Sequence, residues 1–120
     1  MAAKDDLGRH GEDLATQFLA DLGYAIIERN WRTRGGELDI VAQDADTTVF
    51  VEVKTRAGLG FGHPFEAITA PKLARLRRLA MAWCDARLTE RRRGLVRIDA
   101  IAVIAPRDAV PRIEHLKSVG

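Results

Sequence analysis

The chain has 120 residues, enough for one hydrophobic core and too few for two, with 47% hydrophobic and 30% charged residues. Nineteen Lys and Arg against seventeen Asp and Glu leave a formal net charge of +2, so any role with nucleic acid must rest on the distribution of charge and not on its total. A single cysteine, Cys84, excludes an intramolecular disulfide framework, and no apolar run approaches membrane-spanning length.

Leu7, Gly11, Leu14, Ala15, Phe18, Leu19 and Leu22 recur at helical spacing and predict a helix from about Asp6 to Leu22, stopped by Gly23. Glu12 lies next to that stripe, where it could reach a sheet edge or simply stay in solvent. Tyr24 to Arg32 is the first predicted strand, and Arg34, Gly35 and Gly36 turn it into a second. Residues 37–43 and 48–54 then alternate as strands: Leu38, Ile40 and Ala42 against Glu37, Asp39 and Val41, and Phe50, Glu52 and Lys54 against Val49, Val51 and Val53. Asp44-Ala45-Asp46-Thr47 between them is a polar turn. If Ala45 and Asp46 are its central residues, Asp39 lies across from Glu52 and Glu37 across from Lys54.

Cross-strand neighbours have Cβ atoms only about 4.5–5.5 Å apart. Two carboxylates at that separation repel unless a cation, a proton or a basic partner compensates them. Lys54 supplies part of that compensation and leaves room for a divalent metal on oxygen ligands. The alternative is a solvated hairpin face on which Glu37 and Lys54 form an ordinary pair. Against it, the segment from Thr48 to Lys54 is apolar on both faces until the carboxylate appears, as in a central strand covered on both sides. A bare carboxylate there would cost several kcal/mol, on the order expected for an unpaired buried charge.

Gly58, Gly60, Gly62 and Pro64 mark a loop after Lys54, with Arg56 at its base and Phe61 and Phe65 inside it. That loop either touches a nucleic-acid backbone or base, or is a plain connection with two aromatic anchors. Glu66 either closes the site or caps the next helix. Pro71 opens a predicted helix running to about Leu88, with Leu73, Leu76, Leu79, Ala80, Trp83 and Ala86 facing the core and Cys84 packing close by. Lys72, Arg75 and Arg78 fall on a neighbouring flank. From Lys72 to Arg93 there are eight basic and two acidic residues, a local net of +6 that includes Arg91-Arg92-Arg93. Such a patch is either a phosphate-binding surface or a solvated helix face. A strand from about Leu95 to Ile104 follows, ended by Pro106, and Pro111 to Lys117 could add a last one. Asp99, two residues from Arg97, is expected to bind a neighbouring arginine in preference to a metal. The whole reads as one α/β unit, residues 1–120, with an antiparallel hairpin in a mixed sheet.

No Gly-x-Gly-x-x-Gly or Walker-type loop follows a strand, which argues against nucleotide-cofactor chemistry. Cys84 is alone, and His10, His63 and His115 show no ligand spacing, so a soft-metal site lacks ligands. With no basic segment leading into an apolar run, the expected compartment is the cytoplasm and no membrane partner is expected.

Asp39 followed by Glu52-Val53-Lys54 across a short hairpin resembles the signature of the PD-(D/E)xK nuclease superfamily. The ordered set resembles more closely the small bacterial YraN-like family, grouped with Holliday junction resolvases. That set is Gly11-Glu12, Asn30 with Arg32, Gly36-Glu37-Leu38-Asp39, Phe50 to Arg56, Gly62 with Pro64, Glu66-Ala67, Lys72, and Arg97 with Asp99. The resemblance implies a single-domain restriction-endonuclease-like fold, a central mixed sheet carrying a catalytic hairpin and flanked by helices. It also implies Asp39 and Glu52 as ligands of Mg2+, or Mn2+ in its place, Lys54 as the group that orients or activates the attacking water, and Glu12 as a further acidic participant. Arg34, Arg56, Lys72, Arg75 and Arg78 are the candidate nucleic-acid contacts. Branched or irregular DNA and a homodimeric state are what the resolvase-like relatives imply. The segment before Asp39 lacks the Pro-Asp of the superfamily name, and the tail Leu116 to Gly120 lacks an aromatic ending; neither departure removes a ligand.

The expected function is therefore a metal-dependent endonuclease. The alternatives are a noncatalytic nucleic-acid-binding or scaffold protein on the same fold, and a protein-interaction domain whose acidic hairpin is only polar surface.

Overall fold

Gly23, at φ +96°, ends the first helix where the sequence places its stop. The structure is a computed structural model that describes residues 3–60, 62–87 and 94–120, with side chains from Asp6 onward. Helix α1 spans Ala3–Asp21 and is followed by strands β1 (Ala25–Thr33), β2 (Gly36–Asp44) and β3 (Thr47–Arg56). A 3-10 turn at Pro64–Ala67 leads to helix α2 (Ala70–Ala86), then β4 (Leu95–Ile104) and β5 (Arg112–Leu116). Thr69 caps α2, its hydroxyl accepting from the Lys72 N–H, and Pro71 occupies the first turn where no intrahelical donor is needed.

The five strands stand side by side in chain order. β3 is central, antiparallel to β2 and parallel to β4, so the sheet is mixed as expected. The hairpin register is the predicted one where the strands pair: Ile40 faces Val51, and Asp44 faces Thr47 around the Ala45-Asp46 turn. Ala45 takes a left-handed φ of +53° to make that turn. The parallel β3–β4 step is bridged by α2, the connection such a pair requires.

Each helix covers one face. Ala15 and Leu19 of α1 pack with Tyr24, Ile40, Ala42, Val49, Val51, Val53, Ile101 and Val103. Leu76, Leu79, Ala80 and Trp83 of α2 pack with Leu38, Val41, Phe50 and Ile98. Leu14 and Phe18 are partly buried against the first cluster, and Leu73 and Cys84 against the second, so Cys84 is the packing residue expected. The result is a single α/β domain of the restriction-endonuclease-like kind, with a five-stranded mixed sheet between two helices.

Three expectations need correction. Leu22 is 55% exposed, because α1 ends at Asp21, one residue before it. Ala86, the last residue of α2, is exposed as well. Leu38 does not share a face with Ile40 and Ala42: it joins the α2 cluster with Val41, so strict alternation breaks between Leu38 and Ile40. Phe61, Leu88 and the run Arg91-Arg92-Arg93 lie outside the described residues.

Asp99 is fully buried on β4 and satisfied on all sides. Arg97 donates to both of its oxygens, at 2.8 and 3.0 Å, and the Ser118 N–H donates at 3.0 Å. His115 Nε2 lies 2.7 Å from Oδ2, and since a carboxylate only accepts, that nitrogen carries the proton. Arg97 also donates to the Tyr24 hydroxyl at 2.8 Å, so β4, β5, the tail and the start of β1 meet at one carboxylate. Asp99 is thus the structural partner of Arg97 that the sequence favoured. Burial by itself would raise its pKa, but the hydrogen bonds from His115, Arg97 and Ser118 outweigh it and hold the group below its ordinary 3.8.

A group whose folded pKa is depressed contributes stability above its unfolded pKa and loses it as pH falls towards the folded value. Asp99→Ala should therefore cost about 3–5 kcal/mol in urea unfolding at neutral pH, because it takes from Arg97 its buried carboxylate and leaves only the longer contact to Asp44 to offset the charge. The difference from wild type should shrink as pH falls below 3.8. A cost under about 1 kcal/mol at neutral pH would mean that the carboxylate does not hold these strands together.

Candidate active site

β2 and β3 part at the end of the hairpin farthest from its turn. Their pairing stops at Ile40 and Val51, so Asp39 and Glu52 fall one step beyond the last pair. The Asp39 side chain enters the gap, and its Oδ2 accepts the Val53 N–H at 2.8 Å. A side chain thereby takes a donor that a continuous ladder would have given to a backbone carbonyl. On the other side, β1 pairs with β2 at Arg29–Ile40 and at Trp31–Leu38 but skips Asn30 and Asp39. Asn30 has a left-handed φ of +53°, a conformation Asn tolerates better than most residues. The ladder is therefore interrupted on both sides of Asp39.

Glu52 and Lys54 sit side by side along β3, with Nζ 3.3 Å from Oε2 and the glutamate side chain only 12% exposed. The expected Glu37–Lys54 pair is not formed. Glu37 pairs instead with Arg32, its register partner on β1, at 2.7 Å, and Lys54 turns to Glu52. Both changes follow from the parting of the strands, which removes the direct opposition that the turn count implied. The Glu37 carboxylate also raises the pKa of Arg32 by accepting its hydrogen bond.

Glu12 is brought to this end of the sheet by α1. Gly11 is buried against Thr55 of β3, and a methyl group built on Gly11 would overlap the Thr55 side chain. Only glycine allows the helix to come that close. Glu12 Oε1 accepts from Asn30 Nδ2 at 2.8 Å. Glu12, Val53, Lys54, Thr55 and Arg56 line a cleft of about 670 Å³ together with Leu7, Gly8 and Ala57.

The electrostatics of the cluster are unfavourable as they stand. Burial, and then repulsion from Glu52, push the Asp39 pKa from 3.8 up to about 8; Glu12 and Glu37 add to the rise, and the Val53 N–H opposes it. Among the described residues no group of three or more His, Cys, Asp or Glu side chains is close enough together to hold a metal ion. The Asp39–Glu52 pair nevertheless suits a hard cation, being all oxygen, partly buried and mutually repulsive. Mg2+ is commonly held by one or two carboxylates, with water and phosphate oxygens completing its shell.

The other predicted residues are more dispersed. Arg56 lines the cleft, with one guanidinium N–H on the Thr55 carbonyl at 3.1 Å. Arg75 of α2 passes beside Gly36, the residue before Glu37. Arg34 is exposed in the turn between β1 and β2. Lys72 and Arg78 are on α2 and do not line the cleft. Glu66 caps neither the site nor α2: its Oε2 accepts from the His63 N–H, closing a capping box on the 3-10 turn. Sequence reasoning assigned no role to Asn30 or to the Gly11–Thr55 contact. An Asn inside a strand, where that residue is disfavoured, was the available signal for the first.

A five-stranded mixed sheet between two helices makes this a single α/β domain of the restriction-endonuclease-like kind. The profile of uncharacterised protein family UPF0102 matches residues 11–103, and the chain belongs to that family. It is 54% identical over 118 residues, 98% of each chain, to a UPF0102 protein of Clavibacter michiganensis subsp. michiganensis. It is 56% identical to one of Pseudarthrobacter chlorophenolicus, over 99% of this chain and 89% of the relative, and 53% identical to one of an Arthrobacter species over the full length of both. No helix among the described residues is long and apolar enough to cross a membrane.

Asp39 is an acid whose folded pKa exceeds its unfolded 3.8, so folding stability falls as pH rises from 3.8 towards about 8. Asp39→Asn keeps an oxygen for the Val53 N–H and removes the charge. In metal-free buffer the variant should match wild type below pH 3.8 and exceed it by about 1–2 kcal/mol at pH 8 and above, as measured by chemical denaturation. A difference that does not change with pH would remove the electrostatic account of this site.

Proposed function

We propose that this protein is a magnesium-dependent endonuclease acting on branched or irregular DNA, with roles in repair or recombination. The observation that carries the reading is the convergence of Asp39, Glu52 and Lys54 where β2 and β3 part, with Glu12 delivered beside them by α1. Asp39 and Glu52 are the metal ligands. A divalent ion bound there would relieve their repulsion, polarise a phosphoryl oxygen and make its water more acidic. Lys54, held by Glu52 at 3.3 Å, orients the attacking water and offsets charge on the phosphate. Glu12 is a second acceptor for protons of that water. Arg34, Arg56, Lys72, Arg75 and Arg78 supply phosphate contacts, which confer affinity without reading sequence. The protein acts in the cytoplasm, and two copies would provide the two cuts that a branched substrate needs.

A specific observation favours a second reading. The lack of a closer group of three ligands among the described residues suits a noncatalytic nucleic-acid-binding or scaffold protein that keeps the fold.

Cleavage of a labelled panel separates the two: a four-way junction, a flap, single-stranded and duplex DNA and a structured RNA, each with Mg2+, Mn2+ or EDTA. Wild type should cut at least one branched DNA only with metal, and Asp39→Ala and Lys54→Ala should each lose at least about 100-fold in rate. Salt-sensitive binding with no turnover on any substrate would overturn the endonuclease reading and leave the binding protein.

A further inference from the structure

Strand β5 closes one end of the sheet and pairs only with β4. Two hydrogen bonds show which way the backbone groups point. The Ala105 N–H donates to the Arg56 carbonyl and the Val119 N–H to the Ile98 carbonyl, so odd-numbered residues along β4 address β3 and even-numbered ones address β5. Arg112, Glu114 and Leu116, opposite Ile104, Ala102 and Ala100, therefore spend their backbone groups on β4. Ile113 and His115 turn theirs outward, along an edge that no described strand covers. Val110 precedes a proline, which favours extended backbone there, so it shares a face with Arg112, Glu114 and Leu116. Val110 is 83% and Leu116 49% exposed. Leu116 also lines an open cavity of about 320 Å³ with Phe65, Ile68 and Leu73.

We propose that two copies of this chain join through β5, edge to edge and antiparallel, about a two-fold axis at Ile113. In that register Ile113 faces Ile113 of the other copy and the two exchange both backbone hydrogen bonds, while each His115 N–H donates to the other copy's Pro111 carbonyl. Arg112 lies opposite the other copy's Glu114, and Leu116 opposite the other copy's Val110. Each charge thus meets its opposite, and each exposed apolar residue is covered by the other. Arg112 is free to turn: its side chain is 68% exposed and reaches Glu114 of its own chain only at 3.6 Å. Moving the axis to Arg112 or to Glu114 would set that residue against its own copy, like charge on like. Charges and proline on an edge strand ordinarily discourage pairing. Here they permit one register, and Pro111, which has no N–H, ends the ladder. The occupant of the edge is therefore a second copy, because the strand complements itself, and two five-stranded sheets become one. The pairing deepens the two-copy part of the proposed function and rests on that reading only for its use.

Sedimentation equilibrium from micromolar to near-millimolar protein reads this association without metal or nucleic acid. A single strand pair is at the small end of protein interfaces, so wild type should pass from monomer to dimer across that range. Arg112→Glu and Glu114→Arg should each weaken dimerisation at least about tenfold, since symmetry counts every like-charge pair twice. An equimolar mixture of the two variants should restore the dimer, because only unlike chains then set opposite charges face to face. Val110→Asp, at a residue too exposed to matter to the fold, should also weaken dimerisation and leave thermal unfolding at micromolar protein unchanged. It carries the test if Glu114→Arg, which also loses its 3.0 Å contact to His63, does not fold. A wild type that stays monomeric, a dimer indifferent to the substitutions, or two folded variants whose mixture stays monomeric would each overturn the proposal. Cleavage is read separately: a dimer that cuts nothing sustains the pairing and removes the nuclease, and a cutting monomer does the reverse.

Discussion

The hydrogen bond from the Val53 N–H to the Asp39 carboxylate, 2.8 Å long, is the contact on which the rest of the site depends. A continuous β2–β3 ladder would have directed that N–H to a backbone carbonyl and closed the strands down to Arg56. Because a side chain takes it, the strands separate after Ile40 and Val51, and an opening forms at the end of the hairpin farthest from its turn. Lys54 then lines a cleft, with Glu52 beside it at 3.3 Å. The opening persists because both faces of the hairpin are clamped a residue or two away, by Ile40, Ala42, Val49 and Val51 against α1 and by Val41 and Phe50 against α2.

Two acids in the same sheet illustrate opposite uses of burial. Asp99 is wholly enclosed, yet its pKa is held below the ordinary value, because two guanidinium N–H groups, an imidazole and a backbone N–H surround it. Asp39 is less enclosed yet resists ionisation, because its single backbone donor is outweighed by burial and by the charges of Glu52, Glu12 and Glu37. The donors around Asp99 complete it and leave nothing to bind. The arrangement around Asp39 is incomplete, and a folded protein tolerates such an excess of negative charge at a cost in stability. The contrast separates a carboxylate whose partners are complete from one whose charge is left uncompensated.

Much of this was legible in the sequence. The polar turn Asp44-Ala45-Asp46-Thr47, centred on Ala45 and Asp46, set the hairpin register, β4 was bounded at Leu95 and Ile104, and apolar runs on both faces marked β3 as central. Asp99 beside Arg97 announced an ion pair. What the sequence did not reveal lies at one level of the sheet. Counting from a turn assumes an unbroken ladder, so it placed Glu37 opposite Lys54 and Leu38 beside Ile40, and both failed where the ladder breaks at Asp39 and Asn30. Helical periodicity has a similar blind spot. It counts Leu22 and Ala86 as core positions, yet both stand at helix ends and are exposed. The close approach of α1 through Gly11 is invisible to periodicity because it depends on which residue of β3, Thr55, lies beneath.

The distribution of charge constrains how a polyanion could use this site. Four carboxylates, Glu12, Glu37, Asp39 and Glu52, surround the opening, so a phosphate approaching it without a cation meets repulsion at close range. Attraction has to come from farther out: from Arg56 in the cleft wall, from Arg75 beside Gly36 and from Arg34 in the β1–β2 turn. Any affinity for a polyanion and any chemistry at the opening would therefore be carried by different residues on different elements. Under the nuclease reading, the basic rim brings the polymer to the sheet end, and only a cation between Asp39 and Glu52 allows one phosphate to descend to Lys54. Loss of the cation would then leave binding by the rim largely intact, which is the physical reason one fold can support both a nuclease and a noncatalytic binder.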